Sequence, residues 1–140
     1  MADPTIQRTL VLLKPDAVRR GLAGEILSRF ERRGLTIVAL EMRTIDGEQA
    51  DRHYAEHVER DFYPPLRTFV TSGPLVALVL EGDSAIEVVR GINGATDGRK
   101  AAPGTVRGDL SLSNRENLVH GSDSTESAER EIAIWFPELA

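Results

Sequence analysis

The sequence predicts an α+β fold of the ferredoxin-like type, a split βαβ sandwich in which helices cover a four-stranded antiparallel sheet. Three observations predict it. Only four segments have strand character, helical segments separate them, and 140 residues suit a single domain over 1–140. A doubly wound sheet would need more strands.

The elements follow in order. Thr9-Leu10-Val11-Leu12-Leu13 is a short apolar run closed by Lys14-Pro15-Asp16, as expected of a strand buried on both faces. Over 23–33, Ile26, Leu27 and Phe30 stand at helical spacing before Gly34 stops the helix. Residues 35–42 are rich in β-formers and predict a second strand. From Asp46 to about His57 the pattern is helical and mostly polar, and a shorter helix is expected after Pro64-Pro65, over 66–71. A third strand spans 75–81, and Asp83-Ser84 offers an N-cap for a helix through Arg90. From Gly91 to Arg115 the pattern breaks, and a loop of that length inside a domain is commonly functional. Asn117-Leu118-Val119-His120 reads as a brief fourth strand, and Asp123-Ser124 is expected to cap a closing helix, with Asp123 and Glu126 at capping-box spacing.

Composition narrows the function. There is no cysteine, which excludes disulfides, thiolate metal sites and a Cys nucleophile and suits a reducing compartment. The longest apolar run, Leu75 to Leu80, is far below the ~20 residues of a spanning helix, so a cytoplasmic protein without a membrane partner is expected. A net charge of −5 argues against specific nucleic acid as a partner. Any anionic ligand then needs a local cationic cluster. Of 17 basic residues only Lys14 and Lys100 are lysine, and a compact ammonium fits where a guanidinium fork does not.

His120 ends a strand and abuts Gly121-Ser122-Asp123 at a helix start, so a neutral imidazole would stand beside backbone N–H groups able to hold an anion. On the closing helix Ala128, Ile132 and Trp135 form an apolar stripe with Glu131 at its edge. If that helix folds back on the preceding strand, Glu131 can orient His120. Arg90, Thr96, Arg99, Lys100 and Arg107 accompany the glycine-rich loop in a composition suited to phosphate, although an ordinary solvated loop carries such charges too. The loop lacks the Gly-Lys-Ser/Thr of a P-loop. A rival pattern is His53-Tyr54-Ala55-Glu56-His57, the H-x-x-E-H of inverted zinc peptidases. Such a site needs a third ligand and a cleft, and an exposed helix without metal is the expectation.

The stretch Asn117-Leu118-Val119-His120-Gly121-Ser122-Asp123 closely resembles the active-site signature of nucleoside diphosphate kinases. The likeness extends to Thr9–Val18, Ser72-Gly73-Pro74, Pro103–Asp109 and Glu126–Ile132 in the family's order, over about residues 6 to 137. This resemblance implies a homo-oligomer, with a hexamer favoured over a tetramer. It also implies ping-pong transfer of a γ-phosphate from a nucleoside triphosphate to a diphosphate. His120 would carry phosphate on Nδ1, Glu131 would steady the ring, and Ser122 would bond that carboxylate. Lys14 matches the lysine at the transferred phosphate and ribose 3′-hydroxyl, with Tyr54 packed beside it. Arg90, Thr96 and Arg107 match the β-phosphate clamp, Asn117 the sugar contact and Phe62 the ring that stacks on the base. Mg²⁺ would ride on the nucleotide phosphates, with no metal-binding residue in the chain. The alternative on the same fold is a non-catalytic nucleotide-binding regulator. Ala17, Asp61, Gly98 and Asn114 depart from residues frequent in the family.

Overall fold

The computed structural model describes residues 5–139. Four antiparallel strands, β1 (Ile6–Leu13), β2 (Thr36–Arg43), β3 (Leu75–Asp83) and β4 (Val119–Gly121), form one sheet in the order β2-β3-β1-β4. The central pair β1 and β3 is covered on both faces, which explains its nearly unbroken apolar sequence. Side chains alternate across the pleat. Val11, Leu13, Val76, Leu78 and Leu80 face one core with Ile26 and Phe30, while Leu10, Leu12, Leu75, Ala77 and Val79 face the other with Ile132 and Trp135.

The first core is closed by α1 (Pro15–Arg19), α2 (Ala23–Arg32), α5 (Ala85–Asn93) and α6 (Val106–Leu110), which contribute Ala17, Phe30, Val89 and Val106. The second is closed by α3 (Gly47–His53), α4 (Tyr63–Val70) and α7 (Thr125–Trp135), through Ala50, Val70 and Trp135. A short 3-10 turn, Pro137–Leu139, follows. Phe30 is wholly buried, so Phe30→Ala is expected to cost about 3–5 kcal/mol in urea unfolding, the usual loss for emptying a core aromatic site.

The ferredoxin-like arrangement is as expected, and several local readings need correction. The chain does not simply leave the first strand at Lys14-Pro15-Asp16. It forms the single turn α1, with Pro15 in the first turn, where a missing N–H costs nothing. The polar helix stops at His53, and residues 54–62 continue as turns bridged by three-residue backbone bonds, Tyr54 O to His57 N (2.7 Å) and His57 O to Arg60 N (2.9 Å). Without an apolar stripe that segment has no face to hold against the sheet. The following helix includes both prolines in its first turn instead of starting after them.

Of the two expected caps, the side-chain cap at Asp83-Ser84 fails and the one at Asp123-Ser124 falls to the serine. Ser84 occupies the N-cap position of α5 at φ +52°, yet its side chain accepts nothing from the helix. Gln7 Oε1 accepts from Ile86 N at 3.2 Å instead. On α7 the cap is Ser124, whose Oγ accepts from Ser127 N at 3.1 Å. Asp123 is drawn off toward Arg90, 3.8 Å away. The fourth strand starts at Val119 because Leu118 sits at φ +74° and cannot join the ladder.

Candidate active site

Antiparallel pairing sets His120 opposite Leu12, and Leu12 belongs to the core that α7 covers. Partners across a ladder share a face, so the imidazole meets α7. His120 Nε2 lies 2.9 Å from Glu131 Oε1, and Ser122 Oγ donates to the same oxygen at 2.8 Å. Leu10 N in turn donates to Ser122 Oγ at 3.2 Å, which leaves the serine proton for the carboxylate. A neutral ring that gives its Nε2 proton to Glu131 keeps a lone pair on Nδ1. Among the described residues no hydrogen-bond partner meets Nδ1. Burial alone would push the Glu131 carboxyl up, but the His120 and Ser122 bonds and the Arg130 charge outweigh it and hold the group below its usual range.

The ring is 19% exposed and borders a cleft of about 700 Å³. Lys14, Arg90, Thr96, Arg107 and Asn117 line that cleft, together with Tyr54 and Phe62. Distant stretches of chain thus converge as expected, with Glu131 and Ser122 behind the imidazole. Phe62 is 51% exposed at the rim, with the His57 ring beside it.

Local backbone chemistry sets the cations. Lys14 is the N-cap of α1 and only 7% exposed. Its Nζ donates to Asn117 Oδ1 at 2.8 Å, while Asn117 Nδ2 donates to the carbonyls of Thr96 (2.9 Å) and Asn114 (3.1 Å). Lys14 N donates to Leu118 O at 2.8 Å, and Leu118 N donates to Asp16 Oδ2 at 3.1 Å. Those bonds offset the roughly 1–2 kcal/mol that a left-handed leucine costs. Arg107 donates to three carbonyls, of Gly94 (2.8 Å), Asn117 (3.2 Å) and Val119 (2.6 Å). Among the described residues neither Lys14 nor Arg107 has a carboxylate within 4 Å.

Unpaired cations taken from water show the strain in their proton affinities. Burial, then the charge of Arg107, lowers Lys14 to about 8 despite Asp16. Burial and Arg90 lower Arg107 to about 10. Burial, with Glu131 nearby, raises the Tyr54 phenol above its ordinary range, and its buried hydroxyl has no hydrogen-bond partner among the described residues. A site of this kind is completed by a polyanion.

The exposed helix expected over the H-x-x-E-H stretch does not form, since α3 ends at its first histidine. His53 is buried, whereas His57 lies against Phe62 at 5.4 Å between ring centroids, so the two do not share an exposed helical face. Sequence reasoning missed the placement of His53, and also Asp16 behind Leu118. One signal could have found His53: a buried tryptophan needs an acceptor for its N–H, and Trp135 is one turn beyond Glu131. Of the departures from the family pattern, Ala17 fills a core position. Gly98 N donates to Ser113 O at 3.2 Å, a bond no proline could make.

An α+β sandwich that presents a half-anchored imidazole to a cleft where Lys14 and Arg107 lack carboxylate partners is the build of a phosphotransferase acting on nucleotides. The comparisons agree. The nucleoside diphosphate kinase family model matches residues 7–140. A nucleoside diphosphate kinase of a Nocardioides species is 79% identical over 132 residues, 94% of this chain and 98% of the relative. The solved halophilic nucleoside diphosphate kinase of Halobacterium salinarum in complex with CDP superposes with a TM-score of 0.91 at 48% identity, covering 93% of this chain and 87% of that one. A transition-state mimic of the Borrelia burgdorferi enzyme, with bound vanadate and ADP, gives 0.90 at 40% identity, covering 96% and 89%. The chain belongs to the nucleoside diphosphate kinase family and is a phosphotransferase of that class.

Proposed function

We propose that His120 is the nucleophile of ping-pong phosphoryl transfer, with one nucleotide site serving donor and acceptor in turn. The Nδ1 lone pair forms a P–N bond to the γ-phosphorus as the P–O bond to the β-phosphate breaks. The nucleoside diphosphate leaves, and an incoming diphosphate takes the phosphoryl group by the reverse displacement. One observation carries this reading: Nε2 is held by Glu131 while, among the described residues, Nδ1 is unclaimed and the neighbouring Lys14 and Arg107 have no carboxylate within 4 Å.

The other residues take roles that fit their chemistry. Lys14 meets the transferred phosphate and the ribose 3′-hydroxyl, with Tyr54 beside it. Arg90, Thr96 and Arg107 clamp the β-phosphate, Asn117 bonds the sugar and Phe62 stacks on the base. Stacking reads no hydrogen-bond pattern, so broad base tolerance is expected. Among the described residues Asp123 is the one carboxylate lining the cleft, 3.8 Å from Arg90. That donor set suits Mg²⁺ brought in on the phosphates, where it neutralises phosphate oxygens.

The working unit we propose is one domain in a cytoplasmic homo-oligomer, a hexamer before a tetramer. The edge strand β2 leaves its outer backbone groups unpaired and exposes Leu40 and Met42, which supports self-association. No described helix is long and apolar enough to cross a membrane.

The reading is tested with γ-labelled ATP and Mg²⁺. The protein is expected to take up acid-labile, base-stable label on His120 and pass it to added GDP. Nucleotide binding without label transfer would favour the regulator.

A further inference from the structure

His53 is the residue whose burial the reaction as described leaves unused. It is 3% exposed, at the end of α3. Trp135 Nε1 donates to its Nδ1 at 2.9 Å. Its ring stands nearly perpendicular to that of His120, at 82° with centroids 4.7 Å apart. Donor atoms of His53, His120 and Glu131 all fall within 4.8 Å of one another, a spacing that invites a metal reading.

The hydrogen bonds point elsewhere. An indole N–H only donates, so Nδ1 of His53 must offer a lone pair, and the neutral ring then holds its proton on Nε2. One nitrogen is occupied and the other protonated, which leaves neither to ligate. His120 Nε2 and Glu131 Oε1 are 2.9 Å apart, a proton-sharing distance, shorter than the ~3.3 Å between two ligands of a tetrahedral ion. The surroundings favour a neutral ring as well. Burial, then His120, Arg130, Lys14 and His57, hold His53 well below its ordinary range.

We propose that His53 is a positioning residue for the nucleophile. Trp135 fixes it as the Nε2–H tautomer, and its ring walls the His120 imidazole, whose Nε2 Glu131 holds. Rotation of an imidazole about its last torsion is broad and nearly two-fold. A half-turn would put Cε1 in the place of Nε2 against Glu131 and Cδ2 in the place of Nδ1, and would move Nε2 to the former position of Cε1. The wall keeps Nδ1 as the nitrogen that receives phosphate, and so acts on rate before affinity. This inference rests on His120 being the phosphorylated residue.

The test uses the full chain. Nitrogen-15 NMR of the unaltered protein is expected to show His53 protonated on Nε2. His53→Ala removes the wall, and Trp135→Phe removes only the N–H. With GDP as acceptor, kcat is expected to fall about tenfold in the first and about threefold in the second, with KM within twofold, as misplacement of a reacting group predicts. Phosphohistidine from the unaltered protein should be wholly the Nδ1 isomer, and from His53→Ala a mixture with Nε2. The proposal is overturned by an Nδ1–H tautomer of His53, by kcat within twofold of the parent in both folded variants, by KM rising in step with the loss, or by an unchanged isomer ratio. Should the unaltered protein take up no label on His120, the nucleophile assignment itself fails, and the two failures are told apart.

Discussion

His120→Ala is expected to abolish phosphoenzyme formation and lower kcat by about four to six orders of magnitude, the scale on which loss of a nucleophile is felt. No neighbour can replace it. The Tyr54 phenol is pushed further from ionisation by burial and Glu131, and the ring of His57 lies at the rim against Phe62. Nucleotide affinity should change only a few-fold, because Lys14, Arg107 and Phe62 keep their places in the cleft. The Glu131 carboxyl loses its largest stabilising bond and should titrate higher than in the parent. Coupled-assay turnover above a hundredth of the parent rate, or acid-labile label on the variant, would show that phosphate travels by another residue.

Lys14→Met is expected to lower kcat/KM by about 10²–10³, the usual loss when a preorganised charge at a developing anion is removed. Lys14→Arg should recover little of it. The ammonium is buried and bonded to Asn117 Oδ1 at 2.8 Å, a pocket for a point charge and not for a planar fork. The parent's kcat/KM, which reports the free enzyme, should decline as pH rises through about 8. Above that value the free lysine is neutral and the cleft has one cation fewer for an incoming phosphate. In Lys14→Met this alkaline limb should vanish from the profile. A limb that persists unchanged would assign it to another group.

Much of the fold was legible because it rests on short-range signals. The apolar runs of β1 and β3 read as doubly buried, and the closing helix could be wheeled so that Glu131 faced the core edge. The His120–Glu131 contact followed from that wheel once the helix was assumed to fold back, and the 2.9 Å separation bears it out. The misreadings share one cause. The Asp123–Glu126 spacing satisfied a local rule, but the cap is made by Ser124, and Asp123 stands 3.8 Å from Arg90 on another helix. His53 stood in a polar stretch, and nothing nearby in sequence announced that Trp135, 82 positions on, requires its Nδ1.

From residue types and spacing came the α+β class and the need for a local cationic patch in a chain of net charge −5, while His120 as candidate nucleophile came from the resemblance of Asn117–Asp123 to the family signature. Periodicity and composition are properties of neighbours along the chain, so they can be read without coordinates. Tertiary structure alone decided that Lys14 and Arg107 are left without carboxylates, that Leu118 turns left-handed to present Asn117, and that a second histidine backs the first. Burial and pairing are set by which distant segments meet across β1 and β4, and that meeting determines what each charge costs.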